Sequence, residues 1–281
     1  MPVIKCPAKI NLFLHVLGKN YRGYHDLESL VMFAEDLYDE LTISESHDNR
    51  IEVGGKWHST LSGKNTLQVA LEKLSYFVDN KKFHIKLIKN IPIGAGLGGG
   101  SSNAAALIKY LIETLKLPLS TKDVIRLLAE VGADCPMFYY GKSLYFNGIG
   151  EVISLVESMP PLWGVVLYPN AFTLTRSIFA MGFDKYRDRI SRQYNFKTTE
   201  DVFEYLKNTT NDLYKNTISL VPHIEKVLEE ISNVQGCKFA RMSGSGSTCF
   251  GLFDNAKQAK QGLDYLQKKF PSYAIYVTQL R

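Results

Sequence analysis

Four short runs of this chain hold the residues best suited to chemistry. Pro7-Ala8-Lys9-Ile10-Asn11-Leu12 sets a cation and an amide two residues apart, which places them on one face of an extended strand. Lys89-Asn90-Ile91-Pro92-Ile93-Gly94-Ala95-Gly96-Leu97-Gly98-Gly99-Gly100-Ser101-Ser102-Asn103 has five glycines in the seven positions 94–100. Gly132-Ala133-Asp134-Cys135-Pro136 sets one acid in a turn among small or apolar neighbours, and Met242-Ser243-Gly244-Ser245-Gly246-Ser247-Thr248 is a second glycine–serine turn. A glycine loop that runs into a helix N-terminus is an anion site, and phosphate is the anion it suits. Phosphoryl transfer needs such a cradle, a charge-neutralising cation and a group that receives the acceptor's proton.

Each run also has a plainer reading, which for the glycine loop is a flexible loop that happens to precede a helix. Lys9 and Asn11 fit the solvent side of a strand whose other face carries Ile10 and Leu12. Asp134 suits a turn cap bonded to nearby amides as well as it suits catalysis; a buried carboxylate needs a cation or hydrogen bonds in either case. The late turn serves as a hairpin or as a second set of amides for an anion.

The elements around the loop narrow its type. Residues 83–88 alternate as a β-strand and residues 104–111 read as a strong helix, with Ser101, Ser102 and Asn103 as its expected N-cap residues. A P-loop is excluded because no lysine follows the glycines. Gly94, Gly96 and Gly99 match the dinucleotide fingerprint, but that fold needs a strand after the helix, ending in an acid. Here a second helix follows instead, opening at Ser120 with Asp123 completing a capping box.

At 281 residues and 45% hydrophobic, the chain can bury one large core or two modest ones. The net charge of +5 is spread without a basic block, and no basic–aromatic surface motif favours nucleic acid. The four cysteines, Cys6, Cys135, Cys237 and Cys249, form no C-x-x-C pair and have no metal-ligand spacing, as expected of reduced cytoplasmic thiols. Lys5 and Lys9 interrupt the N-terminal apolar residues, so no signal peptide is expected, and no apolar run approaches the roughly 18 residues of a membrane span. Residues 27–34 and 40–44 read as separate strands, 51–57 as a hairpin, 137–147 as a strand region and 184–197 as a charged surface loop. Later strands and helices alternate, and Pro160-Pro161 marks a boundary between domains 1–158 and 159–281.

Pro92 to Ser102 closely resembles the phosphate loop of the GHMP kinases, a family of small-molecule kinases. The Pro-Ala-Lys-Ile-Asn-Leu run, the loop, Gly-Ala-Asp-x-Pro and the late Ser-Gly-Ser-Gly occur in that family's order, between Lys5 and Thr248. Gly23-Tyr24-His25 narrows the resemblance to members acting on a cytidine-diphosphate substrate. The resemblance implies an α/β (α+β) two-domain fold, a ribosomal-S5-domain-2-like ATP domain followed by a ferredoxin-like α+β domain, with the active site in the cleft between them. It implies Asp134 as general base, with Lys9 holding it ionised and stabilising charge on the acceptor oxygen. It assigns the ATP phosphates to Pro92, Ile93, Gly94, Ala95, Gly96, Leu97, Gly98, Gly99, Gly100, Ser101 and Ser102, with Asn65 and Lys89 near the adenine nucleotide. Tyr24 would stack on cytosine, His25 would bond its edge and Phe179 would offer a second face, with Asn11, Ser243 and Gly244 also on the substrate. Mg²⁺ is expected with ATP, without named ligands.

Two positions depart from the family pattern: Ala95, where relatives often have glycine, and Ala180, where some have lysine. Another small-molecule kinase of the family (homoserine, sugar or mevalonate type) and a non-catalytic ligand sensor are the competing expectations, for a monomer or weak homodimer.

Overall fold

The computed structural model describes residues 2–21, 23–58 and 65–281. The chain opens with two long strands, β1 (Ile4–Lys19) and β2 (His25–Ser46), and forms two compact units from interleaved stretches. Met1–Ala8, Tyr38–Ile93 and Gly98–Gly141 make the first; Lys9–Leu37, Gly94–Leu97 and Lys142–Arg281 make the second. This division is discontinuous and differs from a linear cut near Pro160.

In the first unit β3 (Arg50–Gly54) lies beside β4 (Lys82–Ile88), and β4 pairs antiparallel with the end of β2, Glu40 opposite Ile88. The separate strands expected at 27–34 and 40–44 are one strand. Its apparent polar break, Asp39, is fully buried in phase with Leu37, Leu41 and Ile43. Nor do residues 51–57 fold as a hairpin, because β3 runs parallel to β4 with Arg50 opposite His84. Gly55, at φ +93, turns the chain across the end of β4, so close that a Cβ there would lie 2.6 Å from the Lys89 nitrogen.

Four helices complete this unit: α1 (Thr66–Leu74), α2 (Gly99–Leu115), α3 (Thr121–Val131) and α4 (Cys135–Tyr140). The capping box at Ser120 and Asp123 forms as expected. Residues 137–140 are helical rather than extended. Pro136 sits in the first helical turn, where its fixed φ favours the helix and its missing N–H is not needed.

The second unit carries β5 (Leu144–Gly148), β6 (Val152–Leu155), β7 (Leu162–Tyr168), β8 (Cys237–Met242), β9 (Cys249–Phe253) and β10 (Ala274–Leu280). Its helices are α5 (Thr175–Ala180), α6 (Thr199–Lys207), α7 (Tyr214–Leu220), α8 (His223–Ser232) and α9 (Ala256–Lys269). Strands β10, β7, β9 and β8 lie side by side in that order, all antiparallel. With α8 leading into β8 and α9 between β9 and β10, this is the expected ferredoxin-like pattern. Val165, Leu167 and Phe253 of the sheet are buried with Ile224, Val227, Ile231 and Leu266 of the two helices.

Residues 184–197 form an irregular surface loop as expected, exposed over 184–189, but one that is tied down at several points. The Arg187 N–H donates to the Val16 carbonyl (3.0 Å) and its side chain pairs with Asp212 (2.7 Å). Glu28, fully buried, accepts from the Ile190 N–H (3.1 Å) and from Arg192 Nε (2.9 Å). Phe196 is buried at its far end. Two of its charges, Arg187 and Arg192, are paired with the acids Asp212 and Glu28.

Candidate active site

The glycine loop joins β4 to α2, and alternate glycines shape it. Gly94, Gly96 and Gly98 take φ of +66, +75 and +69, the left-handed region that a side chain strains. Ala95 is not among the left-handed residues and is buried, so the alanine there sits where no glycine is required. Helix α2 begins at Gly99, earlier than expected: Gly98 is its N-cap, and Ser101, Ser102 and Asn103 lie in the first turns. A left-handed glycine replaces the hydroxyl cap, so no side chain covers the first N–H groups of α2. Ser102 Oγ and Asn103 Oδ1 are buried without a partner. Free amides and an orphaned hydroxyl at a helix start suit an anion.

Below the loop in the first unit, the Lys89 ammonium is bonded to Asp39, and both side chains are almost wholly buried. Asp39 also accepts from the N–H groups of Asn90 (2.7 Å) and Ile91 (2.8 Å), which fixes the chain entering the loop. The space a Cβ would need at Gly99 is taken by Lys89 Nζ, 3.1 Å away. Asn65 is the N-cap of α1, its side chain accepting from the Leu67 N–H (3.0 Å), and Thr66 Oγ1 donates to the Gly100 carbonyl (2.9 Å).

In the second unit Lys9 and Asn11 share a face of β1 as expected, but it is not a solvent face. Lys9 is 5% and Asn11 1% exposed, and Ile10 and Leu12 on the other face are buried too. The Lys9 ammonium donates to Asn11 Oδ1, and Asn11 Nδ2 donates to Ser29 Oγ (2.8 Å), which fixes the amide's orientation. The Asn11 N–H donates to Ser243 Oγ (3.0 Å), and the Lys9 N–H to the Leu97 carbonyl of the glycine loop (2.9 Å). Gly244, at φ +57, lies against this pair: a Cβ would stand 3.1 Å from both Lys9 Nζ and Asn11 Oδ1. The late turn is therefore a β8–β9 hairpin whose backbone also packs on a buried cation. Asn211 holds it from beneath, donating to the carbonyls of Met242 and Gly244 at 2.8 Å each.

Asp134 stands at the N-cap of α4 in the first unit, half-buried, and its carboxylate makes no capping hydrogen bond. The turn-cap reading of this acid therefore loses its bond. Its neighbour Cys135 is buried, and burial pushes its thiol up to about 12, so it stays protonated at neutral pH. Cys6 and Cys249 are held protonated by burial in the same way.

Tyr24 and His25 stand where β2 begins. Tyr24 is 60% exposed. His25 stacks on Phe179 (ring centroids 5.1 Å apart, 25° between planes) and meets Phe183 edge-on at 5.0 Å. Phe179, expected as a second face for a base, thus has one face against His25. Burial, with help from the Lys19 charge, holds the His25 imidazole below its ordinary value and favours the neutral form. Ala180 is exposed at the end of α5.

Three supporting residues escape the motif reading: Ser29, Asp39 and Asn211. For Asp39 a signal existed, an acid in the apolar phase of a strand. Ser29 and Asn211 act through partners distant in sequence and leave no such mark. Among the described residues no group of three or more His, Cys, Asp or Glu is placed to hold a metal, and no helix is long and apolar enough to cross a membrane.

Comparison with known proteins gives the family of the chain. Residues 64–142 match the N-terminal domain of GHMP kinases and residues 199–272 the C-terminal domain. A 4-diphosphocytidyl-2-C-methyl-D-erythritol kinase of Anaplasma marginale is 35% identical, over 99% of this chain and 96% of its own. A crystal structure of 4-(cytidine 5'-diphospho)-2C-methyl-D-erythritol kinase superposes with a TM-score of 0.80 at 26% identity, covering 99% of both chains. A homoserine kinase from Cytophaga hutchinsonii shares the fold at a TM-score of 0.69 and 17% identity, over 98% of this chain and 93% of its own. The chain belongs to the GHMP kinases, in the family of 4-diphosphocytidyl-2-C-methyl-D-erythritol kinases.

Proposed function

We propose that the chain moves the γ-phosphate of ATP to the 2-hydroxyl of 4-diphosphocytidyl-2-C-methyl-D-erythritol, a step towards isoprenoid precursors by the non-mevalonate route in the cytoplasm. The observation that carries this reading is the join between cradle and cation. The backbone of Lys9 is bonded to the glycine loop at Leu97, while its ammonium is fixed by Asn11 and packed against Gly244. Such a cation, held without freedom to reorient, suits charge that develops during phosphoryl transfer.

In this reading Asp134 takes the proton of the acceptor hydroxyl and Lys9 stabilises the oxygen that attacks phosphorus. The amides of 94–102 and the start of α2 bind the ATP phosphates, with Asn65 and Lys89 toward the nucleotide. Lys89 acts from beneath the loop, through its bond to Asp39. Magnesium bound with the nucleotide would neutralise phosphate charge, and the orphaned Ser102 hydroxyl, as well as facing an anion, would suit such a hard cation. Tyr24 stacks on the cytosine and neutral His25 bonds its edge, while Phe179 backs His25.

The test is ADP release with ATP, Mg²⁺ and the diphosphocytidyl compound, beside mevalonate and homoserine. Turnover with the cytidine compound alone is expected. Turnover with mevalonate or homoserine would retain the kinase and discard its acceptor, and no turnover with any acceptor would favour a ligand sensor.

A further inference from the structure

Three backbone segments of the second unit converge beside Lys9: Gly94–Leu97 of the glycine loop, the turn 243–247 and residues 171–175. The first two touch directly. A Cβ on Gly96 would lie 2.7 Å from the Ser243 carbonyl oxygen and 2.9 Å from that of Gly246, and the Thr248 N–H points to the Ala95 carbonyl at 3.4 Å. No side chain separates the two anion-facing turns, so their relative position depends on what grips both.

Beside the bonds that the Lys9 and Asn11 N–H groups of β1 make to each turn, residues 171–175 supply a second grip. Thr173, 6% exposed, donates its hydroxyl proton to the Gly246 carbonyl (2.7 Å), with the Ser245 carbonyl at 3.2 Å, and its N–H faces the Gly94 carbonyl at 3.5 Å. Ser247 Oγ donates to the Ala171 carbonyl, and Thr175 Oγ1 shares a hydrogen bond with Ser245 Oγ (2.8 Å). Between these anchors the Phe172 ring leans on Gly94. A Cβ on Gly94 would fall 1.9 Å from two ring carbons, so the ring rests against the bare α-carbon. Phe172 is nonetheless 57% exposed. A single exposed phenylalanine is ordinary; one seated on the first glycine of a phosphate loop covers that loop's entry.

We propose that Thr173 is a positioning residue of the phosphate site and that Phe172 is its cover, shielding the loop entry from water. Two consequences separate this from a role in folding alone. Without Thr173's bond the glycine loop and the Ser-Gly turn lose register, and nucleotide affinity falls. Without the ring, water can stand in for the acceptor hydroxyl. Its oxygen bonds to the γ-phosphorus as the bond to the ADP oxygen breaks, giving ADP, inorganic phosphate and a released proton. The inference rests on the kinase reading, the first consequence on its nucleotide and the second on its acceptor.

The experiment compares wild type with Thr173→Val, Thr173→Ser, Phe172→Ala and Phe172→Leu. Binding of a non-hydrolysable ATP analogue is followed by calorimetry, and ADP release is followed with and without acceptor. Thr173→Val is expected to weaken analogue binding about tenfold, the usual effect of one buried hydrogen bond, and Thr173→Ser to restore it. Phe172→Ala, at a largely exposed site, is expected to keep its melting temperature and raise ADP release without acceptor relative to release with it. Phe172→Leu should return that ratio towards wild type. Wild-type analogue affinity in a folded Thr173→Val protein, or an unchanged ratio in Phe172→Ala, would overturn the proposal for that residue. A wild-type protein that bound the analogue but ignored the cytidine acceptor would sink the acceptor assignment and leave Thr173 to be judged on binding.

Discussion

The polar network around Lys9 and the aromatic group around His25 share strand β2, which carries both Ser29 and His25, and are built in opposite ways. Lys9, Asn11 and Ser29 are buried, and each is bonded to the next, with Ser243 closing the set through the Asn11 N–H. Tyr24 is mostly exposed, and His25 is held by ring contacts to Phe179 and Phe183 rather than by a chain of hydrogen bonds. The difference matches two tasks. A group that stabilises developing charge works best when it need not reorganise, and hydrogen bonds to buried partners supply that. A group that admits a planar base must leave a face open, and stacking supplies area without a directional demand.

Substitutions in the two regions should therefore fail differently. Lys9→Met should lower kcat by about a hundredfold or more, as loss of a fixed charge-stabilising donor does, with both Michaelis constants within a few-fold of wild type. A large rise in KM with kcat retained would show the network binding rather than catalysing. Tyr24→Ala should raise KM for the cytidine substrate about tenfold, a usual effect of removing a stacking partner from one base, and leave KM for ATP alone. Equal losses for both substrates would mean that Tyr24 supports the fold. Ser29→Ala, two bonds from the ammonium, should lower kcat by roughly fivefold, in the range of one lost buried hydrogen bond. A Ser29→Ala effect confined to melting temperature would show that the network's orientation does not reach the chemistry.

The smallest effect is in pH. The His25 value is lowered in the fold, so the neutral ring prevails at neutral pH and protonation sets in only as pH falls below the ordinary histidine value of about 6.5. KM for the cytidine substrate should rise on the acid side of that value in wild type. In His25→Gln it should stay flat over the same range, and parallel profiles would place the titration elsewhere.

Much of this site could be read from the chain because its parts are local. A strand, a glycine run and a helix follow one another in sequence, and the Ser120–Asp123 capping box needs only neighbours three apart. What could not be read depends on distant partners or backbone angles. The start of α2 is not legible because a left-handed Gly98, with no side chain to announce it, takes the place of a serine cap. Lys89 is fixed by an acid 50 residues earlier in the chain, and 184–197 is tied down because Asp212 and Glu28 receive two of its arginines, Arg187 and Arg192. Residues 51–57 look like a hairpin until β4, arriving later, offers a parallel edge. Thr173 resembles any loop threonine until the turn it grips is folded against it.

Asp134→Asn tests the central claim most directly, with kcat and both affinities measured on one preparation. The substitution keeps the size of a side chain that makes no capping bond, so the fold and the binding of ATP and cytidine substrate should survive. Turnover should fall by about a hundredfold or more, the usual contribution of a general base. Normal turnover in a folded Asp134→Asn protein would contradict the account and leave the acceptor's proton without a recipient.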